Sequence, residues 1–277
     1  MVLLADSGST KTSWCCLSAG GCVQRLSTSG INPFYMSEKE IEAELKSLLP
    51  QLNGKVERIY FYGAGVASSE KSALLQACFH AVFPHARAEA FTDLLGAARA
   101  LCGNEKGIAC ILGTGSNSCF YDGERIVDNV PPLGFILGDE GSGAALGKRF
   151  ISDVLKRQIP KQLYQAFIEK FQLTKEDILE RVYRQTFPNR FLASFTEFLH
   201  EYQNDTYVQE MLHLSFDAFF MRNVIHYDYQ HYPVQLLGSV AFYFQDIIKT
   251  TAAARGMKIG HIAKGAIDGL ISYHSKN

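Results

Sequence analysis

The sequence lacks an excess of charge of either sign, and it lacks any long hydrophobic run. Its 277 residues include 27 Lys and Arg and 28 Asp and Glu, with a formal net charge of -1. Because proteins that bind polyanions carry a basic excess, we expect no nucleic-acid partner. No apolar run approaches the roughly 20 residues of a membrane helix. The first such run, residues 2–5, ends at Asp6 and has no basic segment before it, so we expect neither a membrane partner nor a signal peptide.

Cysteine pairs at metal-binding or redox spacing are also absent. The seven cysteines lie at 15, 16, 22, 78, 102, 110 and 119, with no C-x-x-C pair and no neighbouring His at metal spacing. This pattern argues against a disulfide framework and against a zinc or iron–sulfur site. Most of them lie in apolar stretches, where a free cysteine behaves as a small hydrophobic residue. We therefore expect reduced, buried thiols and a cytoplasmic protein.

Glycine is missing from one long part of the chain. Eighteen of the 23 glycines lie in residues 1–147, and the next is Gly238. Since glycine marks tight turns and close backbone approaches, we expect strands and loops before the gap and helices within it. Ser37 with Glu40 is expected to cap a helix that runs to about Leu49, and residues 174–177 have the form of a capping box. About four or five helices are expected between Gly147 and His226.

Two segments share one order of predicted strands. A buried strand at residues 2–5 is followed by a polar loop, a strand at 12–17, a Gly-Gly turn and a strand at 22–26. The same order recurs over residues 108–130, about 107 positions later. Such a repeat suggests a duplicated domain. Any two glycine-rich hairpins look alike, however, so the pattern alone leaves both interpretations open.

The first polar loop, Asp-Ser-Gly-Ser-Thr-Lys-Thr at residues 6–12, is suited to a phosphate. Small residues let backbone N–H groups approach an anion, and the hydroxyls and Lys11 add donors. The loop is not a P-loop, since Thr10 rather than Gly precedes Lys11 and a strand rather than a helix follows. Asp6, at the strand end, is placed to orient a water bound to Mg²⁺. The alternative is a solvated hairpin tip.

A second polar loop, Gly-Thr-Gly-Ser-Asn at residues 113–117, has the same character without a charge. Facing the first loop across a cleft, it would complete a cradle for a nucleotide polyphosphate. Further along, Gly238 and Ser239 separate an apolar strand from an apolar helix. Either a purine ribose rests on that helix N-terminus, or the glycine only permits close packing.

Three polar positions are candidates for catalysis or ligand binding. Asp93 follows an apolar strand and precedes a helix-forming run, so it is either a helix cap or a general base. Asp139 lies within residues 134–143, where four glycines favour a loop that contacts a ligand over a structural turn. Asn32 precedes a proline at the end of the third strand, and its default interpretation is the start of a turn.

An aromatic cluster lies near the end of the predicted helical region, without metal-site spacing. We expect it at a domain or subunit surface, which makes a homodimer a possibility. Its members are His213, His226, His231, Tyr227, Tyr229 and Tyr232.

Taken together, these residues resemble the sugar kinase, Hsp70 and actin superfamily, and within it the N-acetylglucosamine kinase group of the BadF/BadG-type ATPase family. The resemblance covers most of the chain, and its six motifs occur in the family's order. They are Asp-x-Gly-x-Thr-Lys-Thr at 6–12, Ser-Gly-Ile-Asn at 29–32, Thr-Asp at 92–93, Gly-Thr-Gly-Ser-Asn at 113–117, Gly-Asp-Glu-Gly-Ser at 138–142 and Gly-Ser-Val-Ala at 238–241.

The resemblance implies an α/β fold of two ribonuclease H-like (actin-like ATPase) domains with a central cleft. The first domain would comprise residues 1–103 and a C-terminal helix at about 264–277. The second would comprise residues 104–263, with a helical region at about 147–232.

The resemblance also implies a hexosamine kinase that uses ATP and Mg²⁺ to phosphorylate a hydroxyl, at C6, of N-acetylglucosamine or a related amino sugar. Asp93 would be the general base that accepts the proton of that hydroxyl. Asn32, Asp93, Gly134 and Asp139 would contact the sugar, and Gly238 and Ser239 the adenosine. The phosphates would meet Asp6, acting on Mg²⁺ through water, together with Gly8, Thr10, Lys11, Gly113, Thr114 and Gly115.

The sequence departs from the family pattern at two places. Ser7 and Ser9 occupy positions where relatives often carry glycine, and residues 131–135 differ from the Gly-aromatic-Gly expected beside the sugar. Two other functions fit the same resemblance: an ATPase that activates a partner protein, and a sugar or nucleotide sensor without catalysis. The activators hold an iron–sulfur cluster with cysteines of two subunits, and no cysteine here lies in such a motif.

Overall fold

The computed structural model describes residues 1–8, 10–18, 21–66 and 68–275. Its strands are β1 (Val2–Ser7), β2 (Lys11–Ser18), β3 (Gly21–Ser29), β4 (Arg58–Gly63), β5 (Arg87–Thr92), β6 (Gly107–Leu112), β7 (Ser116–Tyr121), β8 (Ile126–Asp128), β9 (Val234–Leu237) and β10 (Ile259–Ala263). Its helices are α1 (Glu38–Lys46), α2 (Ser69–Val82), α3 (Asp93–Cys102), α4 (Gly134–Leu137), α5 (Gly143–Leu155), α6 (Lys161–Phe171), α7 (Lys175–Tyr183), α8 (Pro188–Ala193), α9 (Thr196–Glu201), α10 (Thr206–Arg222), α11 (Ser239–Tyr243), α12 (Gln245–Ala254) and α13 (Ile267–His274). Short 3-10 helices lie at Leu49–Gln51 and Val224–His226.

Two five-stranded sheets organise these elements. The first has the order β3-β2-β1-β4-β5, with β1 antiparallel to β2 and parallel to β4. The second has the order β8-β7-β6-β9-β10, with β6 parallel to β9 and β9 parallel to β10. The same strand order therefore occurs twice, which confirms the α/β fold and the duplication that the repeat suggested.

The chain divides into two compact units. The first comprises Met1–Gly107, Tyr121–Val127 and Gly265–Asn277, and the second comprises Ile108–Phe120 and Asp128–Lys264. Residues 121–127 thus pack with the first unit, whereas the resemblance placed them in the second domain.

In the first unit, β1 is the central strand and is covered on both faces. Leu3, Leu4 and Ala5 are completely buried, although consecutive strand residues point to opposite faces. Leu3 and Ala5 share a core with Trp14 and Phe61. A short continuous apolar run is typical of such a strand, so the prediction of a strand buried on both faces is confirmed.

The second unit is built mainly from helices around a core rich in phenylalanine. Helices α5 to α10 occupy residues 143–222, one more helix than the upper estimate from the sequence. The difference arises because Pro188 starts the short helix α8, which ends at Ala193, and a separate helix α9 begins at Thr196. Rings that are completely buried hold these helices together; they belong to Phe150, Phe167, Phe195, Phe198, Phe216, Phe219 and Phe220.

The capping boxes that the sequence predicted are present. Ser37 caps α1 and Thr174 caps α7, each by accepting a hydrogen bond from the third helical residue. In α7 the Asp177 carboxylate in turn accepts a hydrogen bond from Thr174 N at 2.9 Å. The start of each helix is therefore set by a local motif that can be read from the sequence.

Two expectations fail in the described residues. Cys15 and Cys22, on neighbouring strands, are paired as a disulfide, whereas the sequence analysis expected free thiols throughout. The remaining five cysteines are free. Tyr227, placed at a surface by the sequence analysis, is buried, and its hydroxyl lies 3.0 Å from Ser118 Oγ and accepts a hydrogen bond from Val130 N at 2.8 Å.

None of the helices in the described ranges is both long and apolar enough to span a membrane.

We predict that Phe150→Ala destabilises the second unit strongly. The Phe150 ring is completely buried, with its centroid 5.5 Å from that of Phe198 and 5.7 Å from that of Phe167. Its removal leaves a cavity that costs about 3–5 kcal/mol of the free energy of unfolding. Urea unfolding followed by circular dichroism measures the loss. The exposed Tyr183→Ala variant is the control, and an equal effect of both variants would contradict the packing described.

Candidate active site

The carboxyl ends of three parallel strands form one edge of the first sheet. In the strand register Ser7 lies beside Gly63, and Gly63 lies beside Thr92. Strands β1, β4 and β5 therefore end at the same level, and Asp93 follows directly after Thr92. In open α/β sheets this edge is the usual location of ligand sites. The candidate residues of the first unit gather there.

Asp6 is the first carboxylate at this edge. Its Oδ2 accepts a hydrogen bond from Ala266 N at 3.1 Å, so the segment before α13 closes over it. Burial raises the pKa of Asp6 to about 6; the hydrogen bond from Ala266 lowers that pKa, and repulsion by Asp93 raises it. Asp6 comes directly before Ser7 and Asp93 directly after Thr92, so the level strand register brings the two carboxylates to the same edge of the sheet.

Asp93 is the first residue of α3, but it is not the residue that caps the helix. The cap is Thr92, whose Oγ1 accepts a hydrogen bond from Leu95 N at 3.1 Å. Asp93 Oδ1 accepts a hydrogen bond from Leu94 N at 2.8 Å. Burial raises the pKa of Asp93, and its backbone hydrogen bonds partly offset this effect. The carboxylate is thus held by the helix N-terminus while the capping position belongs to its neighbour.

Asn32 is buried between a turn and a close glycine contact. Its Oδ1 accepts a hydrogen bond from Phe34 N at 2.9 Å, and its carbonyl accepts one from Tyr35 N. The residue therefore starts a turn, the default interpretation of its sequence. On the other side lies Gly65, where a Cβ would be 2.1 Å from Asn32 Oδ1. Because Oδ1 is already bonded, Asn32 has its Nδ2 group to donate to a ligand.

The first polar loop has fewer free donors than its sequence suggested. Gly8 N donates to Lys11 O at 3.0 Å and so closes the turn. The Ser7 and Thr12 side chains are buried, with their hydroxyl oxygens 2.7 Å apart. Thr10 and Lys11 are exposed, and they carry the donors that a phosphate could reach. Ser9, the other departure from the family pattern, lies outside the described residues.

In the second unit, the second polar loop is joined to the start of α5. Gly113 N donates to Gly115 O at 2.9 Å, which closes a turn one residue shorter than that between Gly8 and Lys11. Gly143 N donates to Gly113 O at 2.8 Å, and Ala144 N donates to Thr114 O at 3.0 Å. The loop carbonyls therefore satisfy backbone N–H groups at the helix N-terminus. Thr114 remains partly exposed.

Asp139 lies against the second loop. Its Oδ1 accepts a hydrogen bond from Ser116 N at 3.3 Å, and a Cβ at Gly115 would come within 3.1 Å of its Oδ2. Burial raises the pKa of Asp139 to about 6, the Ser116 hydrogen bond lowers that pKa and the neighbouring Glu140 charge raises it. The family resemblance implies a sugar contact for Asp139, and the structure adds this support of the loop.

Gly238 and Gly134 differ in what surrounds them. A Cβ at Gly238 would be 2.3 Å from Leu112 O and 3.2 Å from Gly113 N, and its φ is +121°. Close packing, one of the two interpretations of this glycine, is therefore present, and it places Gly238 beside the second loop. Gly134 begins the short helix α4, is exposed, and has no atom within 4 Å of where its Cβ would lie.

The structure thus groups the candidate residues separately within each unit. Asp6 and Asp93 lie at the edge of the first sheet, with Asn32 following β3. In the second unit, Asp139 and Gly238 lie against the second loop, which carries Thr114. Sequence reasoning missed the backbone of Ala266, which contacts Asp6 from 260 positions away, and the inward direction of Ser7 and Thr12. The first contact has no local signal, whereas the second follows from where the strands end.

Comparison with known proteins places this geometry in a class. Neither a protein-family model nor a curated protein matches the chain. A candidate N-acetylglucosamine kinase from Chromobacterium violaceum has 17% identity and a TM-score of 0.79, covering 98% of both chains. The ROK hexokinase from Thermus thermophilus has 14% identity and a TM-score of 0.51, covering 98% of this chain and 96% of its own. The fold is therefore that of the sugar kinases.

A more similar structure shows the family. A candidate N-acetylglucosamine kinase from Porphyromonas gingivalis has 46% identity and a TM-score of 0.97, covering 100% of this chain and 99% of that one. The protein belongs to this family of N-acetylglucosamine kinase-like carbohydrate kinases. The family predicted from the six motifs is thereby confirmed.

We predict that Asp139→Asn changes how stability depends on pH. The carboxyl pKa is raised in the folded protein, so the folded state binds more protons than the unfolded state between about pH 4 and 6. Asp139 therefore lowers the stability of the wild type as the pH rises through this window. Asparagine keeps an oxygen for Ser116 N but carries no charge. The variant should gain on the order of 1–3 kcal/mol relative to wild type between pH 4 and 7.

Chemical unfolding of both proteins at several pH values measures the difference. A variant that loses stability in parallel with the wild type over this range would show that Asp139 is not held in the unfavourable environment described.

Proposed function

We propose that the protein transfers the γ-phosphoryl group of ATP to a hydroxyl, at C6, of N-acetylglucosamine or a closely related amino sugar. The observation that carries the proposal is the full-length similarity, at 46% identity, to the P. gingivalis protein. The two carboxylates at the edge of the first sheet agree with it. Phosphoryl transfer needs one group that orients the nucleophile and another that helps to hold the metal ion that neutralises the phosphate charge.

Asp93 is the proposed general base. A base must be unprotonated before it can accept a proton, and it works best when its pKa lies near the operating pH. Burial shifts the pKa of Asp93 upward, towards that range. Its position as first residue of α3 holds the carboxylate in place through Leu94 N. In this role Asp93 accepts the proton of the attacking sugar hydroxyl.

Asp6 fits a site for Mg²⁺. The ion prefers one or two carboxylates together with waters and phosphate oxygens. Asp6 supplies such a carboxylate, and the Asp6–Asp93 repulsion is one that a nearby cation would relieve. When bound, Mg²⁺ neutralises charge on the phosphates. Asp6 would hold the ion through water, with its orientation fixed by Ala266 N.

ATP contacts are proposed in both units. Gly8, Thr10 and Lys11 in the first loop would meet the phosphates, with the Thr10 hydroxyl and the Lys11 amine as accessible donors. Gly113, Thr114 and Gly115 are their counterparts in the second loop. Gly238 and Ser239 would lie beside the adenosine, as the family resemblance implies.

Sugar contacts are proposed for Asn32, Asp93, Gly134 and Asp139. Asn32 has the strongest support, since a bonded Oδ1 leaves its Nδ2 group to donate to a sugar hydroxyl. Asp139 would combine a sugar contact with its support of the second loop. The role of Gly134 is proposed from the overall family resemblance alone, because residues 131–135 depart from the family pattern at this place.

We predict that Asp93→Asn lowers kcat by about 10²–10⁴-fold, the usual contribution of a general base. The wild-type rate should rise with pH as Asp93 loses its proton, and the variant should lose that dependence. A coupled assay of ADP release with N-acetylglucosamine, N-acetylmannosamine, glucosamine and glucose measures both effects and the sugar preference.

Glu176→Gln is the matched control for this variant. Glu176 also lies in the first turn of a helix, but it is exposed and belongs to the second unit. Its replacement should leave kcat unchanged. Full activity of Asp93→Asn with an unaltered pH profile would refute the assignment of the base, and a preference for glucose over every amino sugar would refute the substrate class.

We further predict that Asp6→Asn raises the Mg²⁺ concentration needed for half-maximal activity by about 10–100-fold, as for a lost supporting contact of a metal. Asparagine keeps an acceptor for Ala266 N, so the fold should be preserved. Titration of activity with Mg²⁺ measures the shift, and circular dichroism checks the fold. An unchanged Mg²⁺ requirement would separate Asp6 from the metal.

A further inference from the structure

Two buried hydroxyls contact the backbone that leads to Asn32. Ser7, the last residue of β1, and Thr12, the second residue of β2, are both completely buried. Their hydroxyl oxygens are 2.7 Å apart, and neither side chain is part of the exposed loop between the strands. A buried hydroxyl lowers the stability of the fold unless it is hydrogen-bonded. The hydrogen-bond partners of these two hydroxyls therefore indicate which part of the backbone they hold in place.

Those partners are backbone groups just before Asn32. Thr12 Oγ1 donates to Ser29 O at 2.9 Å, and Ser7 Oγ lies 3.0 Å from Ile31 O. Ile31 N donates to Ser7 Oγ at 3.0 Å and to Thr12 Oγ1 at 3.2 Å. Strand β3 ends at Ser29, so the backbone of Ile31 has no neighbouring strand to bond to. The two hydroxyls supply hydrogen-bond partners in place of that strand.

Ser7 also fixes the other side of Asn32. Its carbonyl accepts a hydrogen bond from Ala64 N at 3.0 Å. Ala64 precedes Gly65, the glycine whose backbone packs against the Asn32 amide. The segment that carries Asn32 and the segment that contacts its side chain are therefore both tied to Ser7.

We propose that Ser7 and Thr12 are positioning residues that set the place of the Asn32 amide for sugar recognition. The inference rests on the proposed function, in which Asn32 contacts the sugar. It also gives Ser7 a role that differs from phosphate binding, although the residue belongs to the phosphate-loop motif. The pair controls affinity for the sugar, while the accessible donors of the loop remain in place for ATP.

The test compares Thr12→Val with Thr12→Ser. Valine has nearly the shape of threonine but removes the hydroxyl that donates to Ser29 O and accepts from Ile31 N; serine restores that hydroxyl. We expect Thr12→Val to raise the KM for the sugar about five- to tenfold, the effect of about 1–1.4 kcal/mol for a lost buried hydrogen bond. The KM for ATP should change less than twofold, and Thr12→Ser should restore the sugar KM.

Two further variants keep the inference open to refutation. Ser7→Ala should also raise the sugar KM, because Ile31 N and Ile31 O both lose their contacts with Ser7 Oγ; it replaces Thr12→Val if that variant does not fold. Thr251→Val is the matched control. Thr251 is a buried threonine of the second unit, bonded to His213 Nδ1 at 2.7 Å and Ile247 O at 2.8 Å, and its loss should leave the sugar KM unchanged.

The outcomes separate the inference from the proposed function. A wild type that phosphorylates no sugar overturns both. An active wild type whose sugar KM is unaffected by Thr12→Val and by Ser7→Ala overturns the positioning role alone. Equal increases in the KM for sugar and for ATP, or the same increase in sugar KM for Thr251→Val, would reduce the pair to a structural role and also overturn it.

Discussion

The parallel pairing of β1 with β4, and of β4 with β5, determines where the chemistry of the first unit lies. Parallel strands bring their carboxyl ends to one edge, and the register here is level across all three. Asp6 and Asp93, far apart in the sequence, meet at that edge for this reason. A slip of one residue in β1 would turn Asp6 to the opposite face of the sheet and bring Ser7 out of the core.

Burial is the second constraint, and it acts alike on the candidate carboxylates of each unit. Asp6, Asp93 and Asp139 all have a raised pKa, with removal from water as the largest cause in each. A protein that kept these groups only for stability would gain by replacing them. The proposed function accounts for this cost, because a bound cation and bound phosphates would change the charge around these groups and the cost of burial would then fall on the empty state.

The sequence predicted what depends on neighbours along the chain. The capping boxes at Ser37 and Thr174 are present because each involves residues three apart, and the doubled strand order could be read from two similar runs. Some of what failed depends on contacts distant in sequence. Tyr227 was misplaced because its partner Ser118 lies 109 positions away. Ser7 was assigned to a loop because the predicted strand ended at residue 5. In the structure β1 continues to Ser7, and the Ser7 side chain is buried.

The capping of α3 by Thr92 has a practical consequence for structural work. Since the neighbour carries the cap, replacing the Asp93 carboxylate with its amide leaves the helix start intact. A protein altered in this way is a suitable one to crystallise with unreacted sugar and nucleotide together. The arrangement separates the residue that keeps the helix folded from the residue proposed to react, so substrates can be trapped in a scaffold that is otherwise unchanged.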